Sequence, residues 1–123
     1  YAVPLSYVYS NSKLYYHCAA RGYKLEAIAR NPEVSFCVID QDQVVPEEYT
    51  TYFRSVIIFG QARILTNSDE KKAALKQLAI RFNPAHPEGA DEEINERLDV
   101  VCIVEIIIEA MSGKEAKELR KNR

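Results

Sequence analysis

The sequence predicts a mainly β protein, a small and mostly antiparallel β-barrel with helices at its edges. Three observations favour this fold class. The 123 residues, 47% of them apolar, suit a single domain over 1–123 with a buried core. Strand-like alternation of apolar and polar residues recurs along the chain. Helices and strands follow the order β-β-α-β-β-α-α-β, and this irregular alternation disfavours a doubly wound parallel sheet.

The first two strands form a predicted hairpin. Residues 3–9 alternate between two faces, and Pro4 places this strand at an edge or bulge because proline donates no ladder hydrogen bond. A turn over 10–12 leads into a second, aromatic-rich strand over Lys13–Ala19.

A short helix and a third strand come next. Helical spacing over 24–30 puts Leu25, Ile28 and Ala29 on one side, and Asn31-Pro32 ends the helix. Alternation over 34–39 predicts a strand, and the polar residues 40–51 predict a loop.

Residues 52–65 carry the longest β pattern. Its middle, over 56–59, is apolar on both faces, which suits a strand with core on one side and a partner surface or helix on the other. Gly60 would let this strand bend, as barrel strands must. We therefore expect a homodimer.

The C-terminal part begins with a helix that Asn67 or Ser68 caps and that ends near Phe82. A second short helix is predicted over 91–98 and the last strand over 100–108. The buried stripe of the longer helix is predicted to contain Leu75, Leu78, Ala79 and Phe82.

The end of the chain is less regular. Residues 112–113, Ser-Gly, are predicted to break the last strand, and the charged tail to 123 is expected to be a frayed helix.

Composition and charge exclude several classes of protein. The net charge of -2 gives no basic field for general nucleic-acid binding, and no apolar run approaches the length of a membrane helix. Three widely spaced cysteines, Cys18, Cys37 and Cys102, make neither a disulfide framework nor a zinc motif. They predict three buried thiols in a reducing, cytoplasmic compartment. The chain opens directly on a strand-like segment without Met, so we expect an N-terminal strand to be missing from it.

The segment over 17–24 is the main candidate for binding chemistry. It runs from a strand through Gly22 into a helix, whose first amides have no internal acceptors, and Arg21 and Lys24 add two positive charges. This pattern suits a phosphate site. The alternative is a solvated turn with two surface cations.

The other candidate residues are individually ambiguous. His17 lacks a second ligand at metal spacing and could simply satisfy a backbone carbonyl, whereas Cys18 on the opposite face belongs to the core. His86 lies in a loop and is uninformative. Arg54 and Ser55 open the long strand on opposite faces, either as cofactor and partner contacts or as a polar strand entrance.

Several stretches, in this order, resemble one family. They are Val3-Pro4-Leu5-Ser6-Tyr7, Leu14-Tyr15-Tyr16-His17-Cys18-Ala19, Gly22-Tyr23-Lys24, Asn31-Pro32-Glu33-Val34, and the run from Tyr52 to Ala62. The chain resembles the pyridoxamine 5′-phosphate oxidase-like, FMN-binding split-barrel proteins, in the branch related to 5-nitroimidazole resistance (Nim) proteins.

The resemblance implies a six-stranded split β-barrel and a homodimer with FMN at its interface, so the whole chain would be one FMN-binding domain. It places Val3, Pro4, Leu5 and Ser6 along the isoalloxazine ring. His17, Ala19 and Lys24 would lie near the ribityl-phosphate end, and Ser55 and Val56 on the adjoining strand. His17 would also belong to the catalytic site.

Three functions are consistent with the sequence. The first is an FMN-dependent oxidoreductase that takes electrons from a small-molecule donor to a small-molecule acceptor, such as a nitroreductase; the flavin then performs the electron transfer, so no protein acid, base or nucleophile is required. The second is a non-catalytic, flavin- or haem-binding dimeric protein. The third is a structural dimer that has lost its cofactor.

Overall fold

The computed structural model describes residues 1–85 and 87–120. His86 and the last residues of the tail, over 121–123, lie outside the described residues, and so do the expectations about them. The strands are β1 Val8–Ser10, β2 Lys13–Ala19, β3 Glu33–Val45, β4 Thr50–Ile64 and β5 Val101–Glu115. The helices are α1 Tyr23–Arg30, α2 Ser68–Phe82, α3 Ala90–Arg97 and α4 Lys117–Arg120, with 3-10 turns at Pro46–Glu48 and Pro87–Gly89.

The five strands of the described chain form one sheet in the order β1-β2-β5-β4-β3, and every neighbouring pair is antiparallel. The sheet is not closed, so β1 and β3 are its two edges. An antiparallel, split-barrel sheet with helices at its margins confirms the predicted fold class.

The two faces of the sheet carry separate cores. On the inner face, Leu14 and Ile106 pack with Leu25 of α1. On the outer face, Ile103 packs with Leu75 of α2 and Ile94 of α3. Strand residues therefore alternate between two apolar layers, as the period of a β-strand requires.

Helix α2 begins and packs largely as predicted. The Asn67 side chain accepts hydrogen bonds from the amides of Asp69 and Glu70, which satisfies two first-turn donors. Leu75 and Leu78 are buried. The expected burial of Phe82 is wrong, because this last residue of the helix is half exposed and its ring lies under the Arg81 guanidinium.

The N-terminal strand is shorter than predicted. Residues 3–7 were expected to pair, but the ladder with β2 begins at Val8. Pro4 cannot donate to a ladder, and the ring of Tyr7 packs edge-on against Phe36 of β3, 5.3 Å between centroids. The segment before β1 therefore leans away from β2 and towards the opposite edge of the sheet.

The predicted loop over 40–51 is wrong, because β3 continues to Val45 and pairs with β4 as far as Thr50. Residues 112–113 do not break β5 either, since Gly113 pairs opposite Val56. In both places the partner strand supplies hydrogen bonds that compensate for a polar or glycine-containing sequence.

The ladder between β4 and β5 shifts its register between Phe59 and Gly60, where Glu109 of β5 is the extra residue. A Cβ atom at position 60 would lie 2.2 Å from the carbonyl oxygen of Ile107. Only glycine permits this close approach of the two backbones.

All three cysteines carry free thiols. Cys18 and Cys102 are partly buried, but the expected burial of Cys37 is wrong. Cys37 is exposed because it lies on β3, an edge strand whose outer face has no covering helix. None of the described helices is long and apolar enough to cross a membrane.

Candidate functional site

A groove of about 940 Å³ runs between the two open edges of the sheet. The N-terminal segment over 1–5 forms one wall and residues 33–40 of β3 form the other. Tyr16 and Ile106 provide its floor, and Lys24 of α1 contributes a cation. The groove thus combines apolar side chains with two cations, Lys24 and Arg81, and two carboxylates, Glu33 and Asp40. Such a mixed lining suits a small ligand with a flat, apolar part and a charged part.

The structure brings some of the predicted site residues together in this groove and leaves others outside it. Val3, Pro4, Leu5 and Lys24 line the groove. The predicted residues that do not line it are Ser6, His17, Ala19, Ser55 and Val56.

The turn before α1 has the properties expected of an anion site. Gly22 is the N-cap, with φ of 154°, and no side chain caps the helix. A Cβ at this position would meet nothing within 4 Å, so the turn is open. The first-turn amides therefore remain available to an external acceptor, and Arg21 and Lys24 outnumber the first-turn carboxylate of Glu26.

The N-terminal segment is tied to this turn by aromatic contact. The rings of Tyr1 and Tyr23 pack edge-on with 4.8 Å between centroids. This contact brings the segment that contains Val3, Pro4 and Leu5 alongside the start of α1. The N-terminal segment therefore lies beside the turn that precedes Lys24.

Strand β2 carries His17 and Ala19 next to the same turn. The alternation predicted for this strand is observed, since Tyr16 is buried and His17 is exposed. His17 lies opposite Ile103 of β5. An exposed imidazole on this strand is accessible to a ligand and is not part of either core.

Ser55 and Val56 lie far from this turn along the sheet. His17 pairs with Ile103 and Ser55 pairs with Lys114, 11 residues further along β5. That separation is about 35 Å of strand. Val56 moreover packs against the inner core, on the face opposite to Ser55. Ser55 and Val56 do not line the groove themselves, but they pair with Ile39 and Val38 of its β3 wall.

Two features of the site region could not be read from the sequence. Arg81 of α2 lines the groove, although it is far from the N-terminal segment in sequence and carries no motif. Asp40, expected in a loop, lies in β3 and also lines the groove. Only knowledge of the pairing between β3 and β4 could have predicted that Asp40 lies in a strand, because the residues around it in sequence are polar.

The groove floor contains a tyrosine whose acidity is shifted. Burial raises the pKa of Tyr16 to about 12, with a smaller contribution from the nearby Cys18. Its phenol is therefore neutral at physiological pH and can donate a hydrogen bond.

A buried carboxylate lies on the opposite face of the sheet. Glu105, which interrupts the apolar run of β5, is almost fully buried and contacts Arg63 at 3.0 Å and Lys13 at 3.7 Å. Burial, followed by a hydrogen bond to Glu105, raises the pKa of Tyr15. Because both cations face this carboxylate, the cluster is an internally neutralised structural network.

Among residues 1–85 and 87–120, no group of three or more His, Cys, Asp or Glu side chains is arranged to hold a metal ion.

An open, antiparallel split-barrel sheet with helices at its edges defines the structural class of this chain. The family described as pyridoxamine 5′-phosphate oxidase matches residues 1–115, and the chain belongs to this family.

Solved structures with the same fold agree with that assignment. A candidate 5-nitroimidazole antibiotic resistance protein from Bacteroides thetaiotaomicron is 22% identical, with a TM-score of 0.69 over 92% of this chain and 67% of the other. An FAD- and haem-binding protein from Mycobacterium smegmatis is 21% identical, with a TM-score of 0.75 over 94% and 58%. An FAD-binding protein from Mesorhizobium loti is 24% identical, with a TM-score of 0.61 over 95% and 78%.

The chain thus spans less than two thirds of the Mycobacterium protein. A search of curated proteins finds no match.

Proposed function

We propose that the protein is an FMN-dependent oxidoreductase of the pyridoxamine 5′-phosphate oxidase-like type, with a nitro compound as its electron acceptor. The observation that supports this most directly is the open turn at Gly22, where uncapped first-turn amides and Lys24 lie beside the groove. The flavin-binding proteins and the nitroimidazole-resistance candidate of the same fold favour the same cofactor and acceptor class.

The chain's own residues fit such a cofactor. Lys24 and the first amides of α1 would hold the phosphate. The backbone of Val3, Pro4 and Leu5, followed by Ser6, would lie against the ring. His17 and Ala19 project from the face of β2 opposite to the groove floor and would contact the ligand at its phosphate end, beside the turn. When bound, FMN would supply electron or hydride transfer, so the protein needs to bind, orient and exclude water.

The same proposal includes a homodimer that completes each site. Ser55 and Val56 do not line the groove that contains Lys24, and about 35 Å of strand separates Ser55 from His17 along β5. In the region around them the sheet exposes Ile39, Phe59 and Met111, more apolar surface than a lone small domain usually leaves uncovered. A two-fold axis would bring this region of one protomer to the basic turn of its partner.

The first test is flavin binding by the purified protein. Its absorbance spectrum and the released cofactor identify any flavin, and titration of apo-protein with FMN gives an affinity. Lys24→Ala should weaken FMN binding about ten- to a hundredfold, because one charge-assisted phosphate contact is lost. Arg30→Ala, at the other end of α1, is the matched control and should leave the affinity unchanged. Equal affinities for all three proteins would remove Lys24 from the site.

The shared site is tested with heterodimers purified through two different tags. A Lys24→Ala protomer paired with a Ser55→Trp protomer should bind one FMN per dimer, because one of its two sites combines an intact Lys24 with an intact Ser55. A Lys24→Ala protomer paired with a His17→Ala protomer should bind no FMN tightly. In this pairing one site lacks Lys24 and the other lacks His17, because both residues of a site come from the same protomer. Binding of one FMN per dimer in both pairings would contradict the assignment of His17 to the same site as Lys24. Absence of tight FMN binding in both pairings would contradict a site shared between protomers.

A second candidate is a flavin- or haem-binding dimer without turnover. It is favoured by the FAD- and haem-binding protein of the same fold, whose name states binding and no reaction. Oxidation of NAD(P)H by the flavin-loaded protein in the presence of a nitroaromatic acceptor supports the oxidoreductase. A bound flavin that stays inert with every donor supports the carrier.

A further inference from the structure

Two cysteines from distant parts of the sequence lie directly opposite each other in the sheet. Cys18 of β2 pairs with Cys102 of β5 in the antiparallel register, so their side chains project from the same face. Opposite residues of antiparallel strands have Cα atoms about 4.5 or 5.5 Å apart, according to the type of pair. Both separations fall within the range of about 4.4–6.8 Å that a disulfide spans.

The surroundings of this pair combine partial burial with a nearby cation. Both thiols are half-buried. Burial raises the pKa of Cys18, and the adjacent Cys102 raises it further, whereas Lys24 lowers it. The two sulfur atoms are thus close enough to interact. Cys37 is separate from them, since it lies on the edge strand β3 opposite Ile57.

We propose that Cys18 and Cys102 form a dithiol that peroxides oxidise to a cross-strand disulfide. The Cys18 thiolate attacks the O–O bond of hydrogen peroxide, which gives a sulfenic acid and one water after proton transfer. The Cys102 thiol then attacks the Cys18 sulfur, an S–S bond forms, and a second water leaves. Two thiols lose two electrons and two protons, and one peroxide is reduced to two waters.

This disulfide would join β2 to β5 at the position next to His17 and Ala19. It would also close a loop that contains every residue between Cys18 and Cys102, which is most of the chain. Closing such a long loop restricts the conformations of the unfolded state. Oxidation should therefore raise the urea midpoint of the protein, and a reductant should restore the original value.

The test uses the full chain with Cys37→Ser, which removes the exposed thiol and with it disulfides between molecules. After treatment with hydrogen peroxide, thiol counting should show the loss of both remaining thiols without any covalent dimer. Peptide mass spectrometry should then find Cys18 linked to Cys102, in this variant and in the unaltered protein. The matched control, Cys37→Ser with Cys102→Ser, should instead accumulate sulfenic or more oxidised forms of Cys18.

Three results would overturn the proposal. The first is two intact thiols in the Cys37→Ser variant under conditions that fully oxidise glutathione. The second is a covalent dimer through Cys18 or Cys102. The third is sulfinic acid at both positions with no linked peptide. Each of these can be read from the Cys37→Ser protein alone, so the proposal does not depend on the folding of the double variant.

Discussion

Strands β4 and β5 form one long ladder, but its two halves lie in very different surroundings. In the first half, Ile103 and Val104 of β5 are completely buried, because β2 and the helices cover both faces. In the second half, Phe59 and Met111 are more than half exposed. The same hydrogen-bonded ladder runs through both halves, so pairing alone does not bury side chains. Burial depends on the elements that pack against the ladder.

The charged groups repeat this contrast. Arg63 of the covered half contacts Glu70 at 2.7 Å and Glu105 at 3.0 Å. Arg54 of the exposed half similarly bridges Asp40 at 3.0 Å and Glu115 at 3.1 Å. Both arginines bind two carboxylates, and hydrogen bonds to those carboxylates raise both arginine pKa values. The difference lies in Glu105, whose side chain is 3% exposed, against 15% for Glu115 and 60% for Asp40.

The largest effect is expected from truncating one apolar side chain in each half of β5. Ile103→Ala removes a fully buried side chain and should lower the free energy of unfolding by about 2–5 kcal/mol. Met111→Ala, eight residues further along the same strand, should cost about 1 kcal/mol because Met111 is 57% exposed. Urea denaturation of both variants measures the difference. Equal losses of unfolding free energy in the two variants would contradict the difference between the two halves. They would mean that the second half of the ladder is as well buried in solution as the first.

A pH-dependent effect should follow from Tyr16 in the covered half. Its pKa is about 12 in the folded protein, against 10.0 as the ordinary value. Between these values the unfolded chain loses a proton that the folded chain keeps, so the free energy of unfolding falls as pH rises. The expected loss is about 2–3 kcal/mol by pH 12. Denaturation curves at alkaline pH should show the full loss in the unaltered protein and in Tyr9→Phe, an exposed tyrosine. The loss should be smaller in Tyr16→Phe, where Tyr15 and Tyr52, whose pKa values are also raised, still contribute. An unchanged slope in Tyr16→Phe would contradict the assignment.

The smallest effects concern the two arginine clusters. Glu105→Gln leaves Arg63 and Lys13 without their buried counter-charge and should lower the free energy of unfolding by about 1–2 kcal/mol. Glu115→Gln, at the exposed end, should cost about 0.5 kcal/mol because exposed ion pairs contribute little. Chemical denaturation at neutral pH compares the two. A larger loss from Glu115→Gln would indicate that the exposed half is covered in solution.

Local sequence signals predicted the elements that depend on local chemistry. The Asn67 cap and the apolar spacing of α2 placed that helix correctly. Local sequence signals gave wrong predictions where pairing with a neighbouring strand determines the secondary structure. The polar residues 40–45 and the Ser-Gly pair at 112–113 look like loop and strand end, yet both lie in ladders because β4 supplies their hydrogen bonds.

The candidate site divides in the same way. Residues near each other in sequence, such as Lys24 and Gly22, could be placed together from the pattern of a turn before a helix. The approach of Val3 to Lys24 needed the family resemblance, and the structure shows both in one groove. The separation of Ser55 from His17 depends on the register of β5 with two different strands. No local sequence pattern predicts the register in which β5 pairs with these two strands.

The unpaired edge of β3 has a consequence for the behaviour of the protein at high concentration. An open strand edge offers free amide and carbonyl groups to any other strand, which makes it a template for aggregation. This edge carries three carboxylates, Glu33, Asp40 and Asp42, along its length. Asp40 is held by Arg54 of β4, which leaves Glu33 and Asp42 as the carboxylates that face an approaching strand. Two copies that approach edge to edge would bring these like charges together, and the electrostatic repulsion between them opposes pairing through β3.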